Sequence, residues 1–175
     1  MLRKRLIGYL SFLLVLVLVV GLLRLLGWLP QLLSPQGLRS YRSLQQAQEL
    51  LHRSIPVPAY FPPGLSWPPS KVLAQGEPFF AALLEFSDQE GRPALRILHS
   101  CGSPVLRPEG PLKLRRIVHT VRFSLKGKEL ELQSGLCAQD SPCSHIRWSQ
   151  QGCSTHITYR GSPPELLRMA ESMID

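Results

Sequence analysis

The chain has 175 residues, 44% of them hydrophobic, and a net charge of +8, which leaves room for a single domain of ordinary size with a real core. The charge is unevenly placed: residues 1–54 hold 7 Lys and Arg against 1 Glu, whereas residues 55–175 hold 13 against 11 acidic residues. A basic excess confined to the N-terminal end excludes the broad cationic footprint of a nucleic-acid-binding domain.

Residues 1–5 form a basic tail, with Arg3, Lys4 and Arg5, and Leu6 to Leu23 then run for 18 residues without a charge. As a helix that run would be roughly 27 Å long, close to the hydrocarbon thickness of a bilayer. A membrane anchor is expected over residues 6–29, with Arg24 snorkelling, Trp28 at the interface and Pro30 ending the helix. The basic tail holds the N-terminus in the cytoplasm, and the basic excess beside the bilayer suits anionic headgroups. A cleaved signal peptide is disfavoured by the length of the apolar run and by the lack of a small-x-small site after it.

Residues 30–54 read as a juxtamembrane linker and helix. Leu38 to Arg53 has an apolar stripe at Leu44, Ala47, Leu50 and Leu51, which predicts a helix packed on its own domain in preference to lying on the membrane. From Ser54 to Pro69 six prolines impose an extended path, with Tyr60, Phe61, Leu65 and Trp67 as apolar anchors. So many large apolar side chains fit a structured loop better than a free proline-rich ligand.

From Ser70 the pattern is β. Lys71 to Gln75, Phe79 to Ser87 and Ala94 to Cys101 are predicted strands, the last two joined by a loop containing Gly91. Leu112 to Ser134 is a predicted hairpin turning at Lys126 and Gly127, which pairs Leu125 with Lys128, Phe123 with Leu130 and Val121 with Leu132. The alternation slips upstream, which predicts a β-bulge at Arg115 or Arg116 and places His119 on the apolar face as a hydrogen-bonded core residue. The basic set Arg115, Arg116, Arg122, Lys126 and Lys128 is interleaved with Glu129 and Glu131 and reads as a charge-protected edge. A second hairpin turns at Gln151 and Gly152, with Ile146 opposite Ile157 and Trp148 opposite Thr155. Arg147 and His156 then face outward together, and His52 and His156 are expected to be exposed. Ser162, Pro163 and Glu165 form a capping box that starts a C-terminal helix, whose apolar face includes Leu166, Met169, Ala170 and Ile174. The expected fold class is α+β: an N-terminal transmembrane helix, then a mostly antiparallel sheet covered by the C-terminal helix, in an extracytoplasmic domain over residues 55–175.

Cys101, Cys137, Cys143 and Cys153 all fall on the side assigned to an oxidising compartment, where an even count indicates disulfides. Of the three pairings that four cysteines allow, strand parity favours Cys137 with Cys143 and Cys101 with Cys153. A redox-active Cys137–Cys143 pair is disfavoured because it lacks Cys-x-x-Cys spacing. His99 with Cys101 and Cys143 with His145 would make a four-ligand zinc set, but the spacing is unusual and disulfides claim the same cysteines. No metal, cofactor or catalytic residue is assigned: the sequence holds no Gly-x-Ser-x-Gly elbow, phosphate-cradling glycine loop or His-Glu-x-x-His pair.

Pro58, Tyr60, Pro62, Pro63 and Gly64, followed by Trp148, Gly152, Tyr159, Gly161, Glu165, Leu166, Leu167, Ala170, Glu171 and Ser172, resemble the motifs of a family of bacterial extracytoplasmic domains of unknown function. The resemblance covers roughly residues 55–175 and implies a domain hung from one membrane helix and associated with envelope sensing, including regulators of anti-sigma-factor type. About five residues on the cytoplasmic side are too few to hold a sigma factor, and the four cysteines depart from the family pattern. The expectation is a non-catalytic binding or sensing domain at the bacterial inner membrane, single-pass with its C-terminal domain outside. Its partners would be the bilayer, through residues 6–29, and another envelope protein, met at Tyr60, Phe61 and Trp67 and at the sheet edge. A lipid- or peptide-binding carrier with a cavity near Trp148, Tyr159 and Met169, and a thiol-disulfide exchange protein, are the alternatives.

Overall fold

A computed structural model describes Gly21, residues 38–102 and residues 110–174. The basic tail and the anchor assigned to residues 6–29 lie outside these residues, apart from Gly21, which is helical. Among the described residues no helix is long and apolar enough to cross a membrane.

In the unit spanning Leu38–Asp175 the described chain forms β1 (Arg39–Tyr41), α1 (Leu44–Leu51), β2 (Lys71–Gln75), β3 (Phe80–Ser87), β4 (Pro93–Cys101), β5 (Arg116–Leu125), β6 (Lys128–Leu136), β7 (Pro142–Gln150), β8 (Cys153–Tyr159) and α2 (Pro163–Glu171). The strands make one antiparallel sheet in the order β1-β2-β3-β4-β8-β7-β6-β5. Two meanders, β1 to β4 and β5 to β8, therefore meet at a single seam, where β4 pairs with β8.

Alternation along each strand sends one set of side chains to a common core. Val72, Leu84, Phe86, Leu95, Ile97, Ile146, Trp148 and Ile157 belong to it, together with Ala47 from α1 and Leu166, Met169 and Ala170 from α2. Both helices thus lie on one face, α1 against β1 and β2 and α2 against β7 and β8. The opposite face is mixed. Ala81, Leu83 and Leu98 are buried there beside Arg96, which donates from Nε and Nη2 to Glu85 Oε1 at 2.8 and 2.6 Å.

Both hairpin registers follow the sequence reading residue for residue. Lys126 and Gly127 have φ of 48° and 75°, and Gln151 and Gly152 have 52° and 76°, the left-handed pair that a two-residue turn matched to strand twist requires. Lys126 also donates from Nζ to the carbonyl of Ile174 at 2.7 Å, a cation at the C-terminal end of α2 that ties the β5–β6 turn to the helix.

Several expectations are corrected. The helix predicted from Leu38 is a strand followed by a shorter helix, because Ser43 caps the chain: its Oγ accepts from the amide of Gln46 at 3.1 Å, while Gln46 Oε1 accepts from the Arg42 amide at 3.0 Å. The β-bulge lies between Ile117 and His119 and not at Arg115 or Arg116. It sits opposite Gly135, where a Cβ would run into the Arg116 carbonyl oxygen, so the close approach of β5 and β6 at this point requires glycine. His119 is exposed rather than a core residue; the helices among the described residues pack on β1 and β2 and on β7 and β8. At α2 the Ser162 hydroxyl donates to Glu165 Oε2 at 2.9 Å instead of capping a backbone amide, so the predicted box is replaced by a side-chain pair.

Candidate functional site

The sheet ends differently on its two sides. β1 is a three-residue edge, whereas β5 is a ten-residue edge that, among the described residues, pairs only with β6. Residues 115 to 122 are all exposed, and Ile117, Val118 and Val121 are exposed by 53%, 55% and 53%. From Lys113 to Lys126 the chain holds five basic residues and no acidic one. An edge strand offers a row of free N–H and C=O groups, and a long one carrying β-branched side chains is a template for another strand.

Beside this edge the outer face carries a row set by the register. Arg122 on β5 stands opposite Glu131, Glu131 opposite Arg147, and Arg147 opposite His156. Glu131 is 8% exposed and accepts from Arg122 Nε at 2.9 Å and Arg147 Nη2 at 3.0 Å. Hydrogen bonds from Arg147 and then Arg122 hold its carboxyl below the usual carboxylate range. Arg122, Lys128, Arg147, Ser154 and His156 line a cleft of about 590 Å³ along this row.

His156 Nδ1 lies 3.3 Å from His145 Nε2, and His145 Nδ1 lies 2.9 Å from Thr158 Oγ1. The expected exposure of His156 is corrected, because the neighbouring strands leave it only partly accessible. Burial, with His156 and Arg147 adding to it, pushes His145 down to about 4, and burial and then Arg147 lower His156. Both rings are neutral at pH 7.

The candidate recognition aromatics divide. Phe61 packs edge-on to Trp67 and tilted against Phe86, at centroid distances of 5.5 and 5.2 Å, so it anchors its segment to the core. Tyr60 lies against α2, with Arg168 6.0 Å above its ring and Ser172 Oγ accepting from its amide at 3.3 Å. Trp67 stacks on Phe86 yet remains 60% exposed, and it alone of the three presents a large free surface.

The four cysteines form Cys101–Cys153 and Cys137–Cys143. By strand alternation Cys101 and His99 lie on the core face while Cys143 and His145 lie on the other, so the two pairs could not share one ion. His99 approaches the first disulfide, with Nε2 3.5 Å from Cys101 Sγ. Trp148, Tyr159 and Met169 are packed in the core and are 5%, 7% and 0% exposed. The sequence pattern missed the Glu131 cluster and the His145–His156 pair; the predicted hairpin registers, extended by one further strand, contain both. No family model, no curated protein and no solved structure matches the chain.

Proposed function

We propose that this chain is a membrane-anchored extracytoplasmic binding domain of the bacterial envelope, without catalytic turnover, that receives an extended segment of another envelope protein as an added strand on β5. The observation that carries this reading is the ten-residue open edge with half-exposed Ile117, Val118 and Val121. Two disulfides support an oxidising compartment. The uncharged run from Leu6 to Leu23 supports a bilayer anchor, and the resemblance to envelope-sensing domains is consistent with both.

The partner segment is apolar on alternate residues and acidic between them. On the outer face its carboxylates would meet Arg122, and Arg147 in the adjoining cleft, which keep 76% and 47% of their side-chain surface exposed.

The test uses the full chain in detergent and a synthetic peptide alternating valine and glutamate. Binding should weaken at least about tenfold with Val121→Asp or Arg122→Glu, fall as salt rises, and be unaffected by Leu50→Asp on α1. Equal binding by all variants would overturn the assignment to β5.

A further inference from the structure

The two disulfides occupy opposite environments. Cys137 and Cys143 are 0% and 3% exposed, whereas Cys101 and Cys153 are both partly accessible. Cys101 stands directly opposite Cys153 in the register of the seam that joins the two meanders. Cys153 lines a pocket of about 270 Å³ whose wall also includes His99, Thr155, Ser54 and Gln150, while Cys101 is not part of that lining.

His99 is fixed by the same seam. It lies opposite Thr155, its Nδ1 is 2.9 Å from Thr155 Oγ1, and the Phe80 ring sits edge-on at 6.0 Å. Thr155 is 5% exposed. With the Thr155 hydroxyl donating to Nδ1, the single N–H of a neutral imidazole is at Nε2, 3.5 Å from Cys101 Sγ. Burial lowers the His99 pKa, which keeps the ring neutral at pH 7. The two sulfurs are not equivalent: Cys153 lines the pocket, and Cys101 Sγ lies 3.5 Å from His99 Nε2.

We propose that Cys101–Cys153 is a covalent exchange site for a small thiol. The thiolate enters the pocket and attacks Cys153 Sγ; a new S–S bond forms there and the old one breaks. The electron pair leaves on Cys101 Sγ, where the His99 Nε2–H bond stabilises the thiolate until water protonates it. One thiol is consumed, one mixed disulfide and one cysteine thiol are formed, and no net oxidation or reduction occurs. Lowering the energy of the leaving thiolate accelerates exchange, which gives His99 its role. The exchange is stoichiometric and does not depend on the β5 reading.

The test exposes the full chain in detergent to millimolar glutathione, followed by an acid quench, alkylation and mass mapping. Glutathione should appear on Cys153 and the alkyl group on Cys101, with Cys137 and Cys143 unmodified. His99→Gln should slow the adduct at least about tenfold, the scale of a hydrogen bond to a charged group. Thr155→Val, which keeps the ring, should slow it by a smaller factor and serves if His99→Gln does not fold. Glutathione on Cys101, equal reaction of both disulfides, or an unchanged rate in both variants would each overturn the proposal.

Discussion

Val121 stands opposite Leu132 on the core face of the sheet, yet Val121 is 53% exposed. The helix α2 lies over β7 and β8, so the inner side of β5 extends beyond its cover. A β-branched side chain in such a place contributes little to stability. Val121→Thr should change the free energy of unfolding by no more than about 0.5 kcal/mol while weakening the Val-Glu probe peptide. Urea denaturation beside a binding titration checks this, and a large stability loss would mean that Val121 is a core residue.

Acid should weaken the fold in two separable windows. The unfolded chain protonates His145 near pH 6.5, whereas the folded ring resists until about 4, so stability is full above pH 6.5 and falls as pH drops towards 4. His156 and His99, also lowered by burial, act in the same direction. Each such group gives a slope of up to about 1.4 kcal/mol per pH unit. Glu131, held low by Arg147 and Arg122, contributes stability above its unfolded value near 4.5 that is lost as pH falls further. Urea midpoints measured from pH 7.5 to 3.5 should flatten in the upper window for His145→Gln and in the lower one for Glu131→Gln.

Gly135→Ala should cost about 1–3 kcal/mol, because the added Cβ meets backbone atoms of Arg116 and Ile117 that no rotamer change can move. Thermal unfolding with near-ultraviolet circular dichroism would show it. Wild-type stability would mean that the β-bulge shifts without cost.

The two disulfides should differ in weight. Cys101–Cys153 spans 52 residues of sequence and Cys137–Cys143 spans 6. Chain-entropy reasoning then gives about 4 and about 2 kcal/mol respectively. Replacing each pair by alanines and comparing urea midpoints tests the order, and the reverse order would show that burial around Cys137 outweighs loop length.

The sheet was legible where a local rule dictates geometry. Lys126-Gly127 and Gln151-Gly152 fix two turns, and alternation then fixes every partner from Val121 to Leu132 and from Ile146 to Ile157. The two pairings favoured by that parity and by the short loop at Cys137, among the three that four cysteines allow, are the ones formed. β1 was not legible, because Arg39–Tyr41 is too short for a period and is held by pairing to β2, a contact distant in sequence. Ser43-x-x-Gln46 carried the helix start and was the available signal. The exposure of β5 was not readable either, since Val121, alternating with Phe123 and Leu125, looks the same whether or not a helix covers it; that depends on where α2 docks.

Amide hydrogen exchange of the full chain reads the edge of β5 residue by residue. In the free protein the β5 amides that do not pair with β6 should exchange rapidly. With the Val-Glu peptide bound, protection should appear across residues 116–125 and be lost in Val121→Asp. Protection confined to residues 60–67, or none in β5 at saturating peptide, would rule out strand addition at β5.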